Sequence, residues 1–428
     1  MSTLTDAAKI PPLKIISWAL WDWGTQPFAT VITTFVFSVY LTSSVFGTEN
    51  ETNLAMTWAM SIAGLFIALL APVLGQGADR NGKRMRYLLI QTWALAILSA
   101  SLWFVAPEPS YLVLGLVLLA VGNVIAEIAN VNYYAAIEKV STSETVGRVS
   151  GLGWGLGYLG GISVLVLIVA VIGVDSTDQI RLAMVLCGAW TFVFTIPIFV
   201  AIKDRKVENP PPPRTLIQAY RDLFSSLKRT WQQSRHTIYF LIASALFRDG
   251  LAGVFVFGGL LAAGTFNFTF TEVVMFGIVA NITAGISTIL FGLLDDKLGP
   301  KTVIVISLLG LVICSLLVFF LHDGGKAVFW SAGLALTLFV GPAQSASRSF
   351  LARIIPDGKS GELFGLYATT GRAVSFLSPS LFGFFIWLGS QLTGSNETQY
   401  FGILGVTVVL LAGLLAILPV KQQGHELS

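Results

Sequence analysis

Residues 75–84 read Gly75-Gln76-Gly77-Ala78-Asp79-Arg80-Asn81-Gly82-Lys83-Arg84, and residues 292–301 read Gly292-Leu293-Leu294-Asp295-Asp296-Lys297-Leu298-Gly299-Pro300-Lys301. Gly75 aligns with Gly292 and Asp79 with Asp296 at one offset, 217 residues, close to half of the 428-residue chain. Each stretch follows the second long apolar run of its half. A loop that is merely basic predicts no fixed spacing of Gly and Asp, so the recurrence reads as an internal repeat. The leading glycine of each copy lets two helices approach closely, and the later one permits a tight turn. The aspartate can face a neighbouring helix N-terminus, where negative charge is favoured. The basic cluster suits anionic headgroups. The residues assigned to this loop are Gly75, Asp79, Arg80, Gly82, Lys83 and Arg84 in one copy, and Gly292, Asp296, Lys297, Gly299 and Lys301 in the other.

Around the two loops the chain is 54% hydrophobic and 11% charged, against about 25% charged in soluble domains. A spanning helix needs about 20 apolar residues. Runs of that kind lie near 15–42, 54–76, 87–106, 110–135, 149–173 and 181–202, and again near 236–264, 271–294, 302–321, 327–351, 362–390 and 399–419. The expected fold class is an all-α integral membrane protein of about twelve transmembrane helices, arranged as two six-helix pseudo-symmetric bundles. The expected divisions are 1–202, a linker 203–235, and 236–428. Lys and Arg alternate by loop. Lys9, Lys14, Arg80 to Arg86, Lys139, Arg148, Lys297, Arg353, Lys359 and Lys421 fall on one side, and only Arg181 and Lys326 on the other. The N and C termini are therefore expected to be cytoplasmic. In the linker, Pro210 to Pro213 form a stiff spacer. Leu216, Tyr220, Leu223, Leu227 and Trp231 then recur at helical spacing beside Arg221, Lys228 and Arg229, an amphipathic basic helix expected on the inner membrane surface. Cys187 and Cys314 lie in apolar runs and imply no disulfide. No removable signal peptide is expected at the start.

Ionisable residues inside spans are costly and mark pathways or pairs. Asp22 (first span), Glu127 (fourth), Arg248 and Asp249 (seventh), Arg348 (tenth) and Arg372 (eleventh) are the candidates. Residues four apart share a helix face, which adds Gln26 to Asp22, Gln344 to Arg348, and Asn123, Asn130 and Tyr134 to Glu127. Arg248 and Asp249 lie near mid-span and are read as substrate-binding. Asp22, Glu127 and Arg348 lie in the cytoplasmic half. They read either as proton-coupling groups, because burial raises a carboxylate pKa, or as a gate or static ion cluster. The fifth span reads Gly151-Leu-Gly153-Trp154-Gly155-Leu-Gly157-Tyr158-Leu-Gly160-Gly161, glycines that let helices touch closely. Trp154 and Tyr158 are either cavity-facing stacking residues or packing residues. Tyr367 completes the expected substrate-binding set.

The doubled loop resembles the signature loop of the major facilitator superfamily, whose halves are parallel repeats. More narrowly, the chain resembles the vacuolar amino-acid effluxer-like branch, also called the unknown major facilitator family. The resemblance rests on Trp18-Ala-Leu-Trp21-Asp22-Trp23, the 147–161 block, Arg248-Asp249-Gly250, residues 341–356 and Leu363-Phe-Gly-Leu-Tyr367. It implies the major facilitator fold, a cavity lined by spans 1, 4, 7 and 10, and amino-acid substrates. Family members tend to carry Asn near Thr25, Asn where Arg248 stands, and Pro where this chain has Tyr133-Tyr134-Ala135-Ala136.

The expected function is secondary active transport of a small polar or zwitterionic metabolite, amino acids or related compounds first, by rocking-type alternating access with possible proton coupling. The alternatives are a sugar, organic-acid or drug carrier of the same fold, and a non-transporting receptor or scaffold. No phosphate-cradling Gly-x-x-x-x-Gly-Lys-Ser/Thr is present, so neither an ATP engine nor an enzyme is expected. His236, His322 and His425 form no metal-ligand cluster, and neither cofactor nor metal nor catalytic group is expected. Asn50, Asn267 and Asn396 begin glycosylation triplets in predicted outer loops, but the compact loops favour a bacterial plasma membrane over a vacuolar one. The expected partners are a small-molecule substrate, protons as coupling ion, and the lipid bilayer, without nucleic acid and as a monomer.

Overall fold

The structure, a computed structural model, describes residues 10–204, 215–356, 358–395 and 397–421. Lys9, the Pro210–Pro213 spacer, Asn396 and His425 lie outside them. The long helices, in order, are α1 (Pro12–Pro27), α2 (Glu49–Asn81), α3 (Arg84–Ser101), α4 (Leu112–Ala135), α5 (Val146–Leu167), α6 (Thr177–Ala201), α7 (Leu216–Gln233), α8 (Arg235–Gly264), α9 (Phe270–Leu298), α10 (Pro300–Phe320), α11 (Leu334–Ile354), α12 (Ser360–Val374), α13 (Leu377–Thr393) and α14 (Gly402–Ile417).

Eleven helical rods among the described residues are long and apolar enough to cross a membrane. The expected first span is the twelfth run, and it is broken. α1 passes into a π-helical stretch, Phe28–Phe35, and then the short helix Phe37–Leu41. Pro27 supplies the break: it has no N–H for the carbonyl four residues back, which belongs to Trp23. The Trp190 indole N–H donates to that carbonyl instead, at 3.3 Å.

The chain forms two compact units. The first takes residues up to 142, 156–223 and 356–369; the second takes 143–155, 224–355 and 370 onward. α5 and α12 are thus each divided between units, and so is α7, between Leu223 and Phe224. In the first unit α1 packs on α6, α2 on α4, and α3 on both α4 and α6. In the second, α8 packs on α14, α9 on α11, and α10 on both α11 and α14. One set of pairings therefore recurs, which gives the sequence repeat its three-dimensional meaning. Side chains such as Ile97 (68% exposed), Val113 (68%) and Phe320 (71%) leave apolar flanks on the rods, as a lipid-facing surface requires.

Four helices begin with caps from their own chain segment: Thr48 with Glu51 for α2, Ser176 with Gln179 for α6, Thr215 with Gln218 for α7, and Thr269 with Glu272 for α9. Each is a reciprocal pair in which a hydroxyl takes one orphan N–H and a carboxylate or amide takes another. The amphipathic segment of the linker is helical as α7. Leu223, Ser226 and Thr230 are buried, while Arg221, Lys228 and Arg229 are exposed, as are Ile217 and Phe224. The Tyr220 hydroxyl donates to the Leu69 carbonyl at 2.5 Å.

Candidate functional site

α12 and α5 each begin against an aspartate of another helix. α12 begins at Ser360, and its second and third amides, Gly361 and Glu362, donate to Asp79 Oδ1 and Oδ2 at 2.9 Å each. α5 begins at Val146, and its second and third amides, Gly147 and Arg148, donate to Asp296 Oδ1 at 2.8 Å and Oδ2 at 3.2 Å. These are amides that an N-cap side chain normally serves. Here an aspartate from another helix serves them.

The glycine four residues earlier explains the spacing. Gly75 and Asp79 lie one turn apart on one face of α2. A Cβ at Gly75 would fall on the Gly361 carbonyl, and a Cβ at Gly361 on the Gly75 carbonyl. In the second unit a Cβ at Gly292 would sit 3.0 Å from the Cα of Gly151, and one at Gly151 2.7 Å from the Thr288 carbonyl. Only with both residues bare does the carboxylate, one turn on, reach the helix start. Gly82 (φ 63°) and Gly299 (φ 82°) turn the chain just beyond, in a region costly for residues with a Cβ.

Each cap carries a counter-charge, arranged oppositely in the two units. Arg84, 6% exposed, pairs with both Asp79 and Glu138 and donates to the Ala135 carbonyl at 2.9 Å. In the second unit the arginine lies at the end of α11: Arg353 pairs with Asp295 at 2.5 Å and Asp296 at 3.3 Å, and its Nε donates to the Ser143 carbonyl at 3.1 Å. Ser349 also donates to Asp295. Lys301 donates to the carbonyls of Leu418 (2.6 Å) and Val420 (2.7 Å), tying the start of α10 to the end of α14. Lys83 and Lys297 are exposed, and Arg80 is half-buried.

A third aspartate repeats the geometry outside the repeat. Asp204, just past α6, accepts the second and third amides of α3, Met85 at 2.6 Å and Arg86 at 3.0 Å. Glu138, Asp204, Asp295, Arg353 and Ser150 were not among the residues selected from the sequence. Composition distinguishes none of the four charged ones from ordinary loop charges, nor Ser150 from any other serine in a helix. Only the packed helix ends do.

The remaining candidates divide between the units. The first holds Asp22, Gln26, Glu127, Asn130, Tyr158 and Tyr367. Asp22 is 5% exposed, and it and Gln26 border the bare surface of Gly157, where a Cβ would lie 3.0 Å from Gln26 Nε2. Glu127, Asn130 and Tyr158 are half-buried, and Tyr367 is buried at 5% exposure. The second unit holds Trp154, Arg248, Asp249, Gln344, Arg348 and Arg372. Arg348 is wholly buried. Its Nε donates to Ser150 Oγ at 2.9 Å, its Nη2 to the Ser150 carbonyl at 2.6 Å, and its guanidinium lies 5.1 Å from the Trp154 ring centre. Ser150 Oγ in turn donates to the Ser345 carbonyl at 2.8 Å. Arg348 and Trp154 therefore fasten the start of α5 to α11. The Arg248 guanidinium occupies the notch left by Gly371, where a Cβ would lie 2.8 Å from Nη2. Asp249 is 6% exposed and accepts the Ser378 amide at 2.7 Å.

Two like units of paired membrane helices, with one glycine–aspartate cap in each, define a transporter of the major facilitator class. The comparisons agree. The chain belongs to the family described as vacuole effluxer Atg22 like, whose model matches residues 135–426. It is 26% identical over 434 residues to a Bacillus subtilis (strain 168) protein named uncharacterized MFS-type transporter YxiO, covering 96% of this chain and 97% of that one. It is 27% identical over 264 residues to autophagy-related protein 22-1 of Neosartorya fischeri, covering 55% of this chain and 43% of the fungal protein, so it spans less than half of that relative. Among solved structures, the proton:xylose symporter XylE superposes with a TM-score of 0.72 at 14% identity, covering 95% of this chain and 94% of that one. At that identity the likeness is one of fold. The chain is thus a multi-pass membrane transporter and not an enzyme.

Proposed function

We propose that the chain is a secondary carrier for a small zwitterionic or carboxylate-bearing metabolite, amino acids first, in a bacterial plasma membrane, acting as a monomer. One observation carries the substrate class. Arg248 and Arg372 come from α8 and α12, and the guanidinium of Arg248 lies in the notch at Gly371, next in sequence to Arg372. Both are half-buried, at depths where a charged group costs about 2.5–3.5 kcal/mol to insert. A guanidinium offers paired, planar donors that match a carboxylate. Gln344, from the same unit, supplies a polar group for the rest of such a molecule. Asp22 and Glu127 are the carboxylates proposed to carry a coupling proton.

The transport cycle is proposed to run by alternating access, with the Asp79 and Asp296 caps broken and remade in each turnover. The experiment is flux by purified protein in liposomes across an amino-acid panel, with sugars and organic acids alongside, with and without a pH gradient. Saturable flux of an amino acid, lost in Arg248→Ala, is the expected result. Flux of a neutral sugar alone would replace the substrate class. Amino-acid flux indifferent to the gradient would remove the proton.

A further inference from the structure

Span eleven is two helices, α12 and α13, with a break at Ser375 and Phe376. Pro379 accounts for it. It sits four residues beyond Ser375, so it gives that carbonyl no N–H and its ring crowds it. α13 therefore begins anew at Leu377, inside a run of 34 residues that otherwise suffices to cross a membrane. A helix start at such a depth has orphan amides and no water to receive them.

We infer that Asp249 is the residue that positions this internal helix start, holding α13 against α8, and that it is not a ligand of the transported molecule. Its Oδ2 accepts the Ser378 amide at 2.7 Å, and the Ser378 hydroxyl donates back to the Asp249 carbonyl at 3.0 Å. Among the described residues, its carboxylate pairs with Ser378 and with no arginine. Ser378 is the second residue of α13, the position that Gly361, Gly147 and Met85 occupy in the helices held by Asp79, Asp296 and Asp204. Those three carboxylates also take the third amide. Asp249 takes one amide because the third residue is Pro379, which has none. Gly253, one turn after Asp249, permits the approach, since a Cβ there would meet Ser378 Cβ at 3.0 Å.

The test separates a cap from a charge. Asparagine caps as well as aspartate, and alanine does not. Purified Asp249→Asn and Asp249→Ala would be compared with the parent by hydrogen–deuterium exchange over residues 374–380, which needs no substrate and so stands or falls apart from the transport reading. The expected result is exchange at Ser378 within about twofold of the parent for Asn and about tenfold faster for Ala, as for a lost N-cap. Equal acceleration in both variants, or none in either, would overturn the inference. If Asp249→Ala does not fold, the variant Asp249→Ala with Pro379→Ala decides: a restored, continuous helix no longer needs the cap and should recover folded protein. Failure to recover it would overturn the inference too.

Discussion

Replacing Asp79 by alanine removes two hydrogen bonds to the start of α12 and one ion pair with Arg84, whose guanidinium keeps Glu138 and the Ala135 carbonyl as partners. The cost is therefore that of an N-cap, about 1–2 kcal/mol, and not that of a stranded charge. A loss of that size opens the helix start five- to thirtyfold more often. It should be read as faster hydrogen–deuterium exchange at Gly361 and Glu362, in protein held in lipid nanodiscs. The internal control is the other copy of the repeat. Asp296→Ala should accelerate Gly147 and Arg148 by a similar factor and leave Gly361 and Glu362 alone. Exchange at residues 361–362 that is unchanged in Asp79→Ala, or acceleration of all four amides by either variant, would refute the view that each aspartate holds one helix start.

Three further outcomes follow from the same geometry. Arg84→Leu strands Asp79 and Glu138 together, and since Glu138 keeps a fifth of its side chain exposed, the cost should fall at the low end for breaking a buried pair, about 3 kcal/mol; thermal unfolding should show a larger drop than Glu138→Gln does. Arg348→Lys substitutes a point charge for a fork and cannot reach both the hydroxyl and the carbonyl of Ser150, so it should destabilise by about 1.5–3 kcal/mol, again read by thermal unfolding. Gly75→Ala should cost about 1–3 kcal/mol by overpacking against the Gly361 carbonyl, whereas Gly77→Ala, where a Cβ meets nothing within 4 Å, should be neutral or raise the melting temperature; equal effects of the two would contradict the close approach of α2 and α12.

Hydropathy placed the rods, because the bilayer imposes one length on every helix and that length is written as apolar runs. The Gly-to-Asp spacing placed the caps in outline, because one helical turn links the point of closest approach to the carboxylate. The sequence could not disclose the partners. Nothing in Gly361-Glu362 or Gly147-Arg148 distinguishes an amide that waits for Asp79 or Asp296 from any other helix start. The same limit hid the contacts that Arg348 and Asp249 make. Depth in a span marks a side chain as constrained, but a constraint satisfied by Ser150 or Ser378 looks the same from the sequence as one satisfied by a ligand. Pro379 in the broken eleventh span and Pro27 in the first go with the breaks, yet proline is common in membrane helices and names neither the break nor the groups that receive the freed backbone.

The caps differ in what breaking them costs, and this sorts them by role. The starts of α2, α6 and α9 are capped from within, so they persist whatever their neighbours do. The starts of α3, α5 and α12 are capped by Asp204, Asp296 and Asp79 at helix ends beside charged loops, where water can receive a released amide and carboxylate; the net cost is then that of a modest hydrogen bond. Such contacts can be made and broken within a cycle. Asp249 lies near the middle of the 30-residue α8, and Ser378 near the middle of the broken rod. Release there leaves an amide and a carboxylate without water, at several kcal/mol for the unsatisfied groups. Under the proposed cycle the Asp249 contact should therefore stay closed throughout turnover, while the start of α12 held by Asp79 is free to let go.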